Sequence, residues 1–273
     1  MPADPRLQHA LERLAFSPVL LVCMDFDGTM APLTDRAEDA RALPAAGAAL
    51  AGLNDLPQTR TALVSGRALA SLRNVAGPDE RTLLVASHGA ETWLGPDARP
   101  LELDEQQRGL LTVVTETISR VVEEHPGTGL ERKPAGVVLH TRRAAPDVAG
   151  TATVAALRAL EAIDGVHVMR GKMVVEASVV TASKGDGLAT LRDVTGATGV
   201  LFAGDDVTDE TAFTALTPGD VGVKVGDGRT CADYRVPDPE DVADLLGEVL
   251  RLRREALEMP LLDRDGLGPS MDE

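Results

Sequence analysis

The stretch that decides the fold is Val19-Leu20-Leu21-Val22-Cys23-Met24-Asp25-Phe26-Asp27-Gly28-Thr29. Its first part is an apolar run of strand length without alternation. Such a run predicts a strand buried on both faces, as in a parallel sheet. The run breaks off into two acids and a glycine. Working outward, the sequence predicts a helix over 44–53, a strand over 59–64 that leads into Ser65-Gly66, and a helix over 67–75. A strand over 83–86 then runs into Ser87-His88-Gly89. Upstream, Leu7, Leu11 and Leu14 share one face of a weak helix. Strands alternating with helices in this way predict an open, mostly parallel α/β sheet.

The pattern changes at Gly95-Pro96-Asp97, a turn signal. A long amphipathic helix is predicted over 104–125, two strands over 130–133 and 137–141, and a helix over 147–162. Strands over 166–169 and 173–177 follow, paired around Arg170-Gly171-Lys172. This block predicts an antiparallel sheet with helices on one face. After Ser183 the α/β pattern returns, with helices over 184–194 and 208–216, strands over 199–203 and 220–224, and a late helix around 242–250. The organisation expected is a discontinuous core, 1–100 and 180–273, carrying an inserted α+β domain at 101–179. The tail from Pro260 is expected to fray.

The chain has 273 residues, 44% hydrophobic and 26% charged, ordinary values for a globular protein. With one Trp, one Tyr and four Phe, its core must be built from Leu, Val and Ala. Acidic residues outnumber basic ones by 43 to 27, and the net charge of −16 argues against nucleic acid or an anionic membrane as partner. Cys23 and Cys231 match no zinc spacing, and a buried free thiol at Cys23 suits a reducing cytosol. No apolar run reaches membrane-spanning length and no secretory signal is visible, so a cytoplasmic location is expected.

Four signals sit at predicted strand-to-helix junctions. In an extended backbone Asp25 and Asp27 point to the same side, so their carboxylates can converge beyond the strand end. Two such acids need a cation or a shared proton, although a solvated Asp-Gly turn would read the same way. Gly204-Asp205-Asp206-Val207-Thr208-Asp209-Glu210 holds four acids, more than helix capping explains. An acidic cluster without Cys or His suits Mg²⁺. The Ser65 hydroxyl and the amides beside it could hold a phosphate, or Ser65 could simply cap a helix. Lys184 opens a helix, where the dipole disfavours it, so it is either a surface lysine or paired with an anion.

The order D-x-D-G-T, Ser, Lys, G-D-D resembles the haloacid dehalogenase superfamily of phosphohydrolases. That resemblance implies Asp25 as nucleophile, Asp27 as general acid and base, and Ser65 and Lys184 as phosphoryl ligands. It also implies Mg²⁺ held by Asp25, the Asp27 carbonyl and Asp205, with Asp206 and Asp209 orienting waters or Lys184. Gly204-Asp-Asp-x-Thr-Asp-Glu, Ser65-Gly-Arg67 and His88-Gly-Ala-Glu91 look further like trehalose-6-phosphate phosphatases. So do Glu131-x-Lys133, His140-x-Arg142 and Gly171-Lys172-x-Val-x-Glu176. In that family the insertion is a cap that closes over the core. Carried over by motif, Glu131, Lys133 and Glu176 grip sugar hydroxyls. Two features depart from the family pattern: Thr141 stands where an aromatic residue is usual, and Ala86-Ser87 where Gly-Asn is usual.

The expectation is a Mg²⁺-dependent phosphatase acting on a small sugar phosphate, trehalose 6-phosphate, as a monomer. Because the chain is acidic overall, local positive charge from Mg²⁺, Lys184, Arg67 and Arg142 must draw the substrate, with His88 lining the core side. A phosphatase for another phosphorylated disaccharide or pseudo-disaccharide, and a sugar phosphomutase, share most of these residues. Without turnover, a Mg²⁺-dependent signalling module would share the acidic pocket. Trp93 is expected to pack in a hairpin near the domain boundary.

Overall fold

All five residues of β1 (Leu20–Met24) are buried. Leu20, Val22 and Met24 enter one hydrophobic cluster and Leu21 and Cys23 another. Both faces of the strand are covered, which is why its sequence shows no alternation. The structure, a computed structural model, describes residues 4–34, 36–96, 101–171 and 173–259. Asp97, Lys172 and the tail from Pro260, all invoked from the sequence, lie outside the described residues. The chain divides into two compact units, Met1–Arg99 with Ser183–Glu273, and Pro100–Ala182.

In the first unit β1 pairs in parallel with β2 (Thr59–Val64) on one side and β9 (Gly199–Gly204) on the other. Beyond β2 lie β3 (Leu83–Ala86) and β4 (Glu91–Trp93); beyond β9 lie β10 (Val221–Val225) and β11 (Tyr234–Val236). Among the described residues of this unit, only the β3–β4 pairing is antiparallel. On one face pack α1 (Pro5–Ala15), α2 (Pro44–Asn54), α3 (Leu69–Ala76) and α8 (Pro239–Glu258). On the other pack α6 (Lys184–Thr195) and α7 (Glu210–Ala215). The sheet is therefore doubly wound, as the alternating sequence pattern requires.

Four details differ from the sequence reading. The three-residue strands β4 and β11 were not expected; each is an edge strand too short to show a period. Trp93 does lie in a hairpin, opposite Leu84, with the Arg73 guanidinium carbon 4.0 Å from its ring centroid. The helix expected from Arg67 starts at Leu69, because Ala68 is extended (φ −60°, ψ 147°). The helix expected over 208–216 opens instead as a 3₁₀ turn, Val207–Asp209, continued by α7.

The second unit is a four-stranded antiparallel sheet in the order β5 (Gly129–Lys133), β6 (Gly136–His140), β8 (Val174–Ser178), β7 (His167–Gly171). Val137, Leu139, Val175 and Ala177 turn one face onto α4 (Glu105–Glu124) and α5 (Pro146–Glu161), which supply Val114, Ile118, Ala152 and Ala156. Asp104 and Gln107 form a reciprocal capping box at the start of α4, fixing where that helix begins. Among the described residues no helix is long and apolar enough to cross a membrane.

One buried cation ties the first unit together. Arg253 on α8 donates to the carbonyls of Ala15 (2.7 Å), Ser17 (2.7 Å) and Gln58 (2.9 Å) and to Thr59 Oγ1 (3.1 Å). Arg253→Met keeps the aliphatic stem and removes the guanidinium donors; the Gln58 carbonyl retains its bond from Leu20 N at 2.9 Å, while the Ala15 and Ser17 carbonyls lose their guanidinium bonds. At ~1–3 kcal/mol for each buried group left unsatisfied, the variant is expected to lose about 3 kcal/mol or more. Urea unfolding followed by circular dichroism measures this; a loss under about 1 kcal/mol would mean that water replaces the guanidinium.

Candidate active site

β1 and β9 end at the same level, with Met24 opposite Ala203, and Asp25 N donates to Ala203 O at 2.9 Å. Chain order reverses between these two strands: β1, β2 and β3 run outward one way, and β9, β10 and β11 the other. The carboxyl end of such a switch point is where open α/β sheets leave a crevice for ligands. Asp25 and Asp205 leave the sheet here. Gly28, at φ 81°, is required beside them: a Cβ on it would lie 2.2 Å from Asp205 Oδ2.

Lys184 reaches the same point from the first turn of α6. It is 3% exposed, so it is not a surface lysine. Its Nζ lies 2.8 Å from Asp25 Oδ1 and 2.7 Å from Asp209 Oδ1. The Ser183–Asp186 capping box fixes the start of α6. Gly185 lets that turn approach α7; a Cβ on it would meet Thr211 O at 2.5 Å.

Carboxylate oxygens of Asp25, Asp205 and Asp209 lie within 4.8 Å of one another. Burial pushes the Asp25 carboxyl well above the usual range, with the Asp209 and Asp205 charges adding to it and Lys184 opposing. Burial, then the Asp209 charge, pushes Asp205 up to about 6. Burial alone would lower the Lys184 ammonium, but the facing Asp25 and Asp209 carboxylates outweigh it and raise it. One ammonium thus stands against three carboxylates. An oxygen-only donor set with excess negative charge fits a hard divalent cation.

The side chains of the other two acids expected near a metal are bonded to other groups, although for Asp27 the expected ligand is the backbone carbonyl. Asp206 is exposed and caps the 3₁₀ turn, and its own N–H donates to Asp209 Oδ2 at 2.8 Å. The Asp27 side chain is held by Arg67: Nε donates to Oδ2 at 2.5 Å and Nη2 to Oδ1 at 2.6 Å. Sequence reasoning passed over Lys224, which is buried on β10 and donates to the Asp205 carbonyl. The available signal was a lysine inside the apolar strand Val-Gly-Val-Lys-Val.

Ser65 follows directly on β2, but it does not open a helix. Its hydroxyl accepts from Arg67 N at 3.2 Å, and the chain bends through Gly66 and Arg67 and is extended at Ala68 before the helix opens at Leu69. Ser87 N holds the Arg67 carbonyl at 2.7 Å, and His88 N holds that of Ser65 at 3.1 Å. Gly66 is needed because the His88 ring lies against it, 2.4 Å from where a Cβ would sit. Ser87 and His88 both adopt left-handed backbone, φ 48° and 55°. Such strain in non-glycine residues persists only where surroundings enforce it. Here Glu91, 8% exposed, does so: it accepts from Ser87 Oγ at 2.6 Å and from Leu69 N at 3.3 Å.

In the second unit Glu131 and Lys133 share a face of β5, and register places Glu131 opposite Val138, which is itself opposite Glu176. The Lys133 ammonium lies 2.7 Å from Glu176 Oε2, with both side chains largely buried. His140 Nε2 lies 2.7 Å from Glu131 Oε2, a pairing not anticipated from the sequence. These groups stand on the sheet face away from α4 and α5. Arg142 is exposed in the turn after β6.

A family model described as trehalose-phosphatase matches residues 23–239. An uncharacterized glycosyl hydrolase of Mycobacterium tuberculosis (strain CDC 1551 / Oshkosh) is 31% identical over 273 residues, 94% of this chain and 20% of that protein. A trehalose-phosphate phosphatase of Mycobacterium avium (strain 104) is 32% identical over 240 residues, 82% of this chain and 60% of that protein. The chain thus spans a fifth and about three fifths of the length of these curated relatives. Among solved structures, the C-terminal domain of C. albicans trehalose-6-phosphate phosphatase shares the fold, with a TM-score of 0.78 at 24% identity over 92% of this chain and 98% of that one. A mostly parallel core sheet with a separate antiparallel unit, expected from the sequence, is the architecture found.

Proposed function

This chain belongs to the trehalose-phosphatase family, and on that footing we propose that it hydrolyses trehalose 6-phosphate to trehalose and inorganic phosphate. In this reading the first unit is a haloacid dehalogenase-type hydrolase core and the second is its cap domain. The observation that carries the reading is the buried Lys184 ammonium between Asp25 and Asp209, beside Asp205, at the switch point of the sheet. A lone lysine–carboxylate pair would serve packing; three convergent carboxylates around one lysine leave a charge imbalance that packing does not need.

The chemistry follows from the positions. An Asp25 carboxylate oxygen attacks phosphorus and the bond to the sugar oxygen breaks, leaving an aspartyl-phosphate. The Asp27 carboxyl gives its proton to the departing sugar oxygen. It then takes one from the water that attacks the aspartyl-phosphate, releasing phosphate and restoring Asp25. Lys184 and the Ser65 hydroxyl hold the phosphoryl oxygens. Asp25, Asp205 and Asp209, with the Asp27 carbonyl, are the residues that would hold Mg²⁺, which supplies neutralisation of phosphoryl charge when bound. Asp206 keeps the 3₁₀ turn closed, and through it Asp209 stays in line with Lys184.

Recognition of the disaccharide is assigned to Glu131, Lys133 and Glu176. Charged side chains on one sheet face can exchange their mutual bonds for bonds to sugar hydroxyls. A salt bridge kept only for stability would more often be exposed and worth little.

Phosphate release from a panel of sugar phosphates with Mg²⁺ present tests the reading, with trehalose 6-phosphate expected to be the preferred substrate. Asp25→Asn is expected to abolish turnover with the circular dichroism spectrum unchanged; retained activity would remove the covalent step. Chelation by EDTA is expected to stop turnover and excess Mg²⁺ to restore it, whereas full activity in EDTA would contradict the metal assignment. Alanine variants at Glu131, Lys133 and Glu176 are expected to lose about ten- to a hundredfold each on trehalose 6-phosphate, at ~1.5–3 kcal/mol for each charged hydrogen bond. An aryl phosphate without sugar hydroxyls is expected to lose much less. Parallel losses on the two substrates would assign these residues to stability instead.

A further inference from the structure

We propose that Arg67 is a positioning residue for Asp27, and not a ligand of the substrate phosphate or sugar; the proposal rests on the phosphatase reading above. Three of its five N–H groups are committed within the first unit. Two of them grip both oxygens of the Asp27 carboxylate, and Nη1 donates to Ser71 Oγ at 3.3 Å. The guanidinium carbon lies 5.7 Å from the ring centroid of Phe26, which is fully buried. The Arg67 side chain is 10% exposed, and that of Asp27 is 32%. The geometry is therefore that of a clamp whose fixed half is the arginine.

Asp27 needs such a clamp because of where it stands. β1 ends at Met24, and the chain turns at Gly28, whose N–H donates to Ala31 O at 2.7 Å. A partly exposed aspartate in that turn has free rotamers unless something fixes its plane. A bidentate guanidinium fixes the plane as well as the distance, which a lysine could not do. The clamp is anchored in turn. The Arg67 N–H donates to Ser65 Oγ, and its carbonyl accepts from Ser87 N, whose hydroxyl is held by buried Glu91. The chain of bonds runs Glu91, Ser87, Arg67, Asp27. It explains why a carboxylate is buried in the hairpin formed by β3 and β4, and why Ser87 and His88 are held left-handed.

Proton delivery to the leaving oxygen is the step most sensitive to this placement, since small displacements of an acid group cost large factors in rate. An alkyl phosphate such as trehalose 6-phosphate departs as an alkoxide and needs the proton as the P–O bond breaks. p-Nitrophenyl phosphate departs as a stable phenolate and needs none. In the first step, the one that kcat/KM reports, a residue that binds phosphate serves both substrates equally and a residue that positions the acid serves only the first; in the second step Asp27 acts as base for both.

The test compares wild type, Arg67→Met, Arg67→Lys and Asp27→Asn with both substrates, measuring kcat and KM separately. Arg67→Met keeps the stem beside Phe26 and deletes the donors. For trehalose 6-phosphate kcat is expected to fall about a hundredfold with KM within about threefold, in line with the ~10²–10⁴ contributed by general acid catalysis. For p-nitrophenyl phosphate kcat/KM, which reports attack and phenolate departure, is expected to fall by less than about tenfold even where kcat falls with the base-assisted hydrolysis of the aspartyl-phosphate, and Arg67→Lys is expected to recover little of the loss. Added to Asp27→Asn, the Arg67→Met change is expected to do almost nothing more, because the two residues act as one unit. A rise in KM on both substrates with kcat held, or additive losses with Asp27→Asn, would overturn the proposal and make Arg67 a substrate ligand. If the wild type prefers a different alkyl phosphate, the disaccharide assignment fails, and the comparison run with that ester still reads Arg67. Crystal structures of wild type and Arg67→Met supply a readout free of turnover: an Asp27 carboxylate unmoved in the variant would also overturn the proposal.

Discussion

The Lys184 ammonium, wedged between Asp25 and Asp209 out of reach of bulk water, is the interaction on which the core site depends. Taking three charges out of water is unfavourable, and Coulomb attraction offsets that only when the geometry is close and each group is held in place. Every element that meets here contributes to that holding. β1 delivers Asp25, the capping box of α6 delivers Lys184, and the 3₁₀ turn after β9 delivers Asp209. Lys224, from β10, holds the backbone of Asp205. Replacing Lys184 would leave the carboxylates buried and uncompensated, whereas replacing Asp25 or Asp209 leaves the ammonium one partner, so stability leans on the lysine more than on either acid.

Close backbone approach is the second constraint. Gly28 makes room for Asp205, Gly66 for the His88 ring, and Gly185 for the Thr211 carbonyl, each at a separation no side chain could share. Gly89 adds a fourth, since a Cβ there would lie 2.4 Å from Ser183 O, at the N-cap of α6. The loop after β3 therefore bears on the helix that presents Lys184 and, through Ser87, on the arginine that holds Asp27. A site assembled from four loops behaves as one rigid object because these loops brace one another and not only the sheet.

The second unit solves a different problem. Its sheet buries one face on α4 and α5 in an apolar core and gives the other to Glu131, Lys133, His140 and Glu176. Paired acids and bases there satisfy one another, yet can turn to polar ligands without leaving an unpaired charge. Lys224 was absent from the sequence reading, and the partners of Glu91 and His140 were absent with it, for one reason. Each makes its key contact with a group on another element.

The sequence by itself determined the alternation of strands and helices, the break near residue 95, and the junctions where Asp25, Ser65, Lys184 and Asp205 fall. Those features are local: hydrophobic period, turn residues and caps act over a few positions. Only the tertiary structure decided which of the acids converge. Asp205, Asp206 and Asp209 are alike in sequence, but the 3₁₀ turn directs Asp209 to Lys184 and leaves Asp206 as a cap. Likewise Arg67 reads as a free cation beside a serine, and becomes the partner of Asp27 only because β1 and β2 lie side by side. The start of α3 differs for the same reason: Ser87, brought in by β3, holds the Arg67 carbonyl and Glu91, on β4, holds Leu69 N, with Ala68 extended between them. Propensity fixes what a segment can be, while partners distant in the chain fix where its side chains end, since burial and charge pairing are settled between elements and not within them.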